Sequence, residues 1–314
     1  MDIAQEHSKI TRNLSRGSCV TIGNFDGVHL GHRKLISRIT HLAQTQHRAS
    51  VVVTFCPHPL SVLVGPNTTP FITTNKQKFD LLESMGVDFA LILNFTKNLA
   101  SMSPENFVRT YLVEWLDVKS LVVGYDYSFG KDRKGNFELL QRLGQELDFT
   151  TQRLDPVIMN DAIISSTRIR DLIKVGDVWV VRTLLERFYA VRGKVVAGHT
   201  RGGRLLGFPT ANCRLENKLL PYNGVYAIWV EYKAKFFQAV ANIGYNPTFN
   251  DQELSVEVHL LDFSDNLYGV ELTLHFVQRL RAEKKFSNIN ELKQHINKDI
   301  ALARNILATL EAQP

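Results

Sequence analysis

The sequence predicts an α/β domain built on a parallel sheet, followed by a mainly antiparallel β-barrel domain that ends in a C-terminal helix. Three observations lead there. The first half alternates short runs rich in Val, Ile and Leu with helical patterns, as repeated strand–helix units do. The second half carries aromatic-rich segments of period two, separated by Gly, Pro and Asn turns, which is a meander or barrel pattern. A length of 314 residues suits two cores better than one.

The elements follow in order. Cys19-Val20-Thr21-Ile22 is a short apolar strand, and residues 31–46 form an amphipathic helix after it. Runs at 50–55, 88–95 and 120–124 read as buried strands. Helical patterns lie at 75–85, 104–115 and 136–143, with Ser103-Pro104-Glu105 spelling an N-cap and a proline at the first helical position. After about Ser165 two short helical patterns, 167–174 and 178–188, lead into strands at 189–197, 224–232, 236–243, 255–263 and 271–279. A helix over 288–310, capped by Ser287, closes the chain. The boundary falls near Asp177, giving domains of residues 1–177 and 178–314.

Composition narrows the function classes. Hydrophobic residues at 44% and charged residues at 22% are those of a globular protein, and a net charge of +6 favours anionic partners. No Lys/Arg run is interleaved with aromatics, which argues against nucleic acid. No apolar segment approaches the roughly 20 residues of a membrane helix. Cys19, Cys56 and Cys213 are odd in number and widely spaced, unlike a disulfide framework or a zinc site. With a polar N-terminus, they make a cytoplasmic location the expectation.

The most informative stretch is Gly23-Asn24-Phe25-Asp26-Gly27-Val28-His29-Leu30-Gly31-His32. It joins the first strand to the first helix, where free N–H groups and the positive end of the helix dipole can hold phosphate. Two imidazoles one turn apart can face the same oxygen and balance developing charge. A lone histidine near a helix start is usually a cap, but two in a glycine-punctuated turn point to chemistry on a nucleoside triphosphate. Neither a GxGxxG fingerprint nor a Walker loop is present.

Other clusters admit two readings each. Ser165, Ser166, Thr167, Arg168 and Arg170 open a helix and suit phosphate oxygens, or simply cap it. Asp126, in Gly124-Tyr125-Asp126-Tyr127-Ser128-Phe129-Gly130, follows a strand where open α/β sheets bind ligands, or lies in a tight aromatic turn. His58, in Phe55-Cys56-Pro57-His58-Pro59, is a ligand contact or a turn residue. In the second half, Gly207-Phe208-Pro209-Thr210-Ala211-Asn212 follows the basic glycine-rich loop 198–204, which could close over phosphates. A threonine hydroxyl and an asparagine carbonyl suit a hard cation such as Mg²⁺, although a polar turn would look the same. Residues 242–248 read as a polar turn. Glu257 shares a strand face with Ser255 and His259, as a general base or as an exposed glutamate.

Taken in order, these pieces resemble the bacterial bifunctional riboflavin kinase/FAD synthetase (FMN adenylyltransferase) family over almost the whole chain. Residues 23–32 (GNFDGVHLGH), 54–59 (TFCPHP), 122–130 (VVGYDYSFG) and 164–170 (ISSTRIR) resemble its adenylyltransferase module. Residues 206–212 (LGFPTAN), 223–227 (NGVYA), 242–249 (NIGYNPTF), 256–263 (VEVHLLDF) and 266–269 (NLYG) resemble its kinase module. The resemblance implies a Rossmann-like nucleotidyltransferase domain and a β-barrel kinase domain. Riboflavin would be phosphorylated by MgATP to FMN, and FMN adenylylated by a second ATP to FAD and pyrophosphate.

It also implies roles. Glu257 would be the general base of the kinase, and Thr210 and Asn212 would hold Mg²⁺ and the ATP phosphates, with Gly207 beside them. His29 and His32 would stabilise the adenylyl-transfer transition state. Asn24, Ser166, Thr167 and Arg170 would contact phosphates, Arg170 near the leaving pyrophosphate, while Asp126 would lie close to the nucleotide. Gly23, Phe25, Asp26, Gly27 and His58 complete the binding set. Departures from the pattern occur at Cys56, at Asn246, at Glu186-Arg187-Phe188 and at Phe71-Ile72-Thr73, which lacks a usual basic residue. They leave room for a chain with one working activity, or for a flavin-binding regulator, although every proposed catalytic group is present. Oligomeric state stays open.

Overall fold

The apolar run at Cys19 becomes the middle of a sheet because both its faces are covered. In the computed structural model, which describes residues 1–5, 14–65, 69–197, 207–245 and 254–310, contacts divide the chain into units Met1–Ser165 and Ser166–Pro314. The first unit is a six-stranded sheet in the order β1 (Asp2–Ala4), β4 (Phe89–Asn94), β3 (Ala49–Cys56), β2 (Ser18–Ile22), β5 (Val118–Gly124) and β6 (Thr150–Leu154). All its pairings are parallel. Val20, Ile22, Val51, Val53 and Leu121 face one core, while Cys19, Val52 and Val122 face another with Ile36 and Ile39 of α1 (Leu30–Gln46). Burial on both faces explains why these strands read as continuous apolar runs.

From β2 the chain proceeds to β3 and β4 on one side, then crosses back to β5 and β6 on the other. Such a reversal leaves a crevice at the carboxyl ends of the central strands. The loops after β2, β3 and β5 all open there. Around them lie α2 (Pro59–Leu63), α3 (Asn75–Ser84), α4 (Lys97–Ala100), α5 (Pro104–Phe107) and α6 (Phe137–Leu147). Thr74 caps α3 in a full capping box with Gln77, and Ser103 caps α5 with Pro104 behind it. The helix expected over 104–115 changes to π geometry at Val108–Glu114. A two-stranded hairpin, β7 (Ile158–Met159) with β8 (Ala162–Ile163), ends the unit.

The second unit opens with α7 (Ser166–Val175) and α8 (Val178–Leu185). The sequence reading puts the boundary near Asp177, whereas by contact both helices fall with the barrel: α8 buries Val178, Val181, Leu184 and Leu185 and packs on its strands. The barrel closes in the order β10 (Ala211–Leu215), β13 (Leu254–Leu260), β12 (Lys235–Tyr245), β11 (Gly224–Tyr232), β14 (Glu271–Arg281) and β9 (Tyr189–Val196). Its pairings are all antiparallel. The final helix, α9 (Ile289–Ala308), seats Ala303 and Leu307 against Ala227, Trp229 and Val277. Its cap is Asn288 rather than Ser287: Asn288 accepts the Glu291 N–H at 2.9 Å, and Ser287 instead donates to the Glu291 carboxylate at 2.7 Å.

Candidate active sites

After Ile22 the chain has to turn sharply out of a buried strand into α1. Phe25, Gly27 and Val28 take φ of 49°, 83° and 40°, a strained path for two residues with side chains. Phe25 anchors it from below, fully buried, with its ring edge-on to His32 at 5.2 Å between centroids. Its side chain is therefore core, and what it offers a ligand is backbone alone. His29 is the N-cap of α1: its Nδ1 accepts the His32 N–H at 3.4 Å, so the neutral ring carries its proton on Nε2. The two imidazoles stack with centroids 3.6 Å apart and planes 19° from parallel. Gly31 makes room, since a Cβ there would lie 3.2 Å from the His29 ring and 3.8 Å from the Ile164 carbonyl. Two imidazoles at a helix N-terminus can donate to an anion and spread the charge that grows on it.

The turn is held from beneath by groups of opposite charge. Asp26, only 5% exposed, accepts the backbone N–H of Ile72 at 3.0 Å and of Thr73 at 3.2 Å on Oδ1. Expected among substrate contacts, it ties the turn to residues 71–73. Lys78, 6% exposed on α3, donates to the Asn24 carbonyl at 3.3 Å and to Thr54 Oγ1 at 3.2 Å. Burial pushes its ammonium below the usual lysine range, while Asp26 and Cys56 push it back up. The Asn24 Oδ1 is buried and has no hydrogen-bond partner among the described residues. A carboxamide oxygen in that state fits a donor from outside the chain, such as a hydroxyl, an amine or a metal-bound water.

Asp126 is exposed just past β5, and His58 caps α2 by accepting the Leu60 N–H at 3.1 Å, its ring 5.5 Å from Phe71. Both stand at the carboxyl edge of the sheet with the histidines. Ser166, Thr167 and Arg170 open α7, which belongs by contact to the second unit. Motif order alone would not have found Lys78, a polar residue on an amphipathic helix with no pattern around it.

In the barrel the register assembles a second cluster. Glu257 on β13 pairs with Asn212 of β10 on one side and with Asn242 of β12 on the other. Directly paired residues share a face. The row Asn212–Glu257–Asn242 therefore lies on the outer face, since Val256, Val258, Ala241 and Ile243 point into the core. The sequence reads Asn242 as part of a polar turn, yet it belongs to β12; only the register reveals that it flanks Glu257. His259, two residues on, meets the Pro209 carbonyl at 2.8 Å through Nδ1 and holds the chain before Thr210 against β13. A cavity of about 360 Å³ opens beside Thr210, lined also by Val195, Leu260, Phe263, Asn266 and Tyr268.

Asn212 offers a neutral oxygen donor beside the Glu257 carboxylate, with the Thr210 hydroxyl two residues before it, the donor chemistry Mg²⁺ takes when phosphates complete its shell. Gly207 precedes them with φ of 83°. The basic loop 198–204 and Asn246-Pro247-Thr248 lie outside the described residues.

Residues 11–168 match the family model described as FAD synthetase, and residues 185–307 match riboflavin kinase. A Pseudomonas fluorescens bifunctional riboflavin kinase/FMN adenylyltransferase is 38% identical over 294 residues, covering 93% of this chain and 94% of its own. The chain belongs to the bifunctional riboflavin kinase/FMN adenylyltransferase family. Its Escherichia coli K12 member is 36% identical over 297 residues, 93% of this chain and 95% of that one. Among solved structures, a Streptococcus pneumoniae protein described as a macrolide-efflux protein superposes with a TM-score of 0.87 at 31% identity, over 96% of this chain and 98% of its own. Among the described residues, no helix is long and apolar enough to cross a membrane. The two matched family regions divide between the sheet with the histidine turn and the barrel with the Glu257 row.

Proposed function

We propose that this chain makes FAD from riboflavin in two steps, the barrel phosphorylating riboflavin to FMN and the α/β unit adenylylating FMN. The observation that carries this reading is the pair of clusters, stacked His29 and His32 on one unit and Asn212–Glu257–Asn242 on the other.

In the kinase step Glu257 accepts the proton of riboflavin's terminal ribityl hydroxyl as its oxygen bonds to the γ-phosphorus of ATP and ADP leaves. Thr210 and Asn212 would hold Mg²⁺, which when bound neutralises phosphate charge.

In the adenylyl step an FMN phosphate oxygen attacks the α-phosphorus of ATP and pyrophosphate departs. The nucleophile is already an anion, so no base is required. His29 Nε2–H and His32 instead stabilise the charge at phosphorus. Asn24 Oδ1 fits a ribose hydroxyl or a cation-bound water, and its amide N–H₂ a phosphate oxygen. Ser166, Thr167 and Arg170 are assigned to the phosphates, His58 and Asp126 to the rim of the flavin and nucleotide site. We assign the chain to the cytoplasm, in keeping with its widely spaced cysteines.

Purified protein incubated with riboflavin, ATP and Mg²⁺ tests this by chromatography over time. FMN should appear first and FAD later. FMN that never becomes FAD would contradict the histidine assignment, and no product at all would contradict both.

A further inference from the structure

Lys78 is a buried cation that neither step above uses. Carrying a charge into an interior is costly unless hydrogen bonds compensate, so a lysine 6% exposed calls for a reason. Its two oxygen partners are themselves joined: Thr54 Oγ1 donates to the Asn24 carbonyl at 3.3 Å, the same oxygen that receives Lys78 Nζ at 3.3 Å. Lys78 also donates to Thr54 Oγ1 at 3.2 Å, which closes a triangle under one peptide. That peptide enters the Phe25 turn, where φ is already unfavourable, so its orientation needs an opposing hold.

We propose that Lys78 is a positioning residue for adenylyl transfer, fixing the Asn24 peptide, with Thr54, so that the Asn24 side chain faces the phosphates. The inference rests on the reading of the histidine site as the adenylylating one. Asp26 acts on the turn's other flank, through Ile72 and Thr73, so the turn is gripped at both ends by buried charges of opposite sign. Burial, the largest influence, holds the Lys78 ammonium below the usual lysine range, against the nearby Asp26 and Cys56, which favour its charge.

The test is Lys78→Met, Thr54→Val and the double variant, in the full-length chain. Riboflavin phosphorylation by the same preparation reports that the chain is folded. Lys78→Met should lower kcat for FMN adenylylation by about 10²-fold, the cost of a displaced catalytic element. KM for FMN and riboflavin phosphorylation should stay near wild type. Lys78→Arg, which keeps the charge and donors, should recover part of the loss. Because Lys78 and Thr54 serve one carbonyl, the double variant should lose little more than Lys78→Met alone.

Amide hydrogen exchange over residues 23–28 gives a readout that needs no turnover, and it should speed up in Lys78→Met. Wild-type kcat in Lys78→Met, losses that multiply in the double variant, or unchanged exchange in the turn would each overturn the inference. A wild-type chain that forms no FAD, yet loosens its turn in Lys78→Met, would fault the adenylylation reading and leave the positioning role standing.

Discussion

His29 and His32 stack with ring centroids 3.6 Å apart, while Nδ1 of the first accepts the backbone N–H of the second. One side chain thus caps the helix through Nδ1, while its Nε2–H is the donor proposed for adenylyl transfer. His29→Ala should lose both, lowering FAD formation by about 10²- to 10³-fold and stability by about 1 kcal/mol. His29→Asn restores a capping oxygen without the imidazole. It should regain the melting temperature and not the activity, and adenylylation rates with thermal melts on both variants check this.

Asp26 spends its carboxylate on the Ile72 and Thr73 amides. Asp26→Asn keeps the shape but turns one acceptor into a donor. The misfit should cost about 1–3 kcal/mol and reduce FAD synthesis from FMN, with riboflavin phosphorylation retained. Denaturant melts and the two separate assays give the answer.

Gly244 lies at the end of β12, where a Cβ would collide with Glu283 Oε1, while Glu283 Oε2 accepts from Asn223 Nδ2 at 3.0 Å. Gly244→Ala must displace that exposed carboxylate and its bond to Asn223, two residues from Asn242. FMN formation should fall and adenylylation of added FMN should not. Steady-state rates for each step measure it.

The carboxyl of Glu291, at the start of α9, is pulled down to about 2 by Lys284 first and then by Ser287. A depressed carboxylate stabilises the fold above its ordinary value of 4.5, and that contribution is lost as pH falls through about 2. Glu291→Gln should therefore melt below wild type at pH 7, with the gap narrowing steadily as acid is added below 4.5. Paired melts across that range test the sign.

Cys19 and Cys213 are buried, and burial pushes the Cys213 thiol up to about 12. Cys56 is half-buried at the end of β3. Since the thiolate is the reactive form, iodoacetamide at mild alkaline pH should modify Cys56 alone in the native chain. Intact-mass analysis before and after denaturation counts the adducts.

The elements that sequence made legible are those whose pattern is also their packing. Val51, Val52 and Val53 face two cores and so form one apolar run, and Val256, Glu257 and Val258 alternate because one face of β13 is inside the barrel. The strands that escaped lack that signal. Thr150–Leu154 lies at the sheet edge with mostly polar residues, and Ala211–Leu215 carries an asparagine and an arginine between small residues. Helix 104–115 read as one α-helix because its apolar spacing is blind to the π turn at Val108.

The candidate site divides along the same line. His29 and His32 announce themselves by spacing, and Glu257 by the resemblance of its strand to the kinase module. Asn242 and Lys78 do not, because what makes them matter is register across β12 and β13 and burial beneath a turn, both properties of the assembled fold. Phe25 and Asp26 were legible as members of the motif, while their parts as core anchor and backbone tether were not.

The most direct measurement replaces Glu257 with Gln and follows riboflavin, FMN and FAD by chromatography. The account predicts that riboflavin phosphorylation falls by about 10²- to 10⁴-fold, the range for losing a general base, while added FMN is still converted to FAD at the wild-type rate. Riboflavin phosphorylated by Glu257→Gln as fast as by the wild type would contradict it.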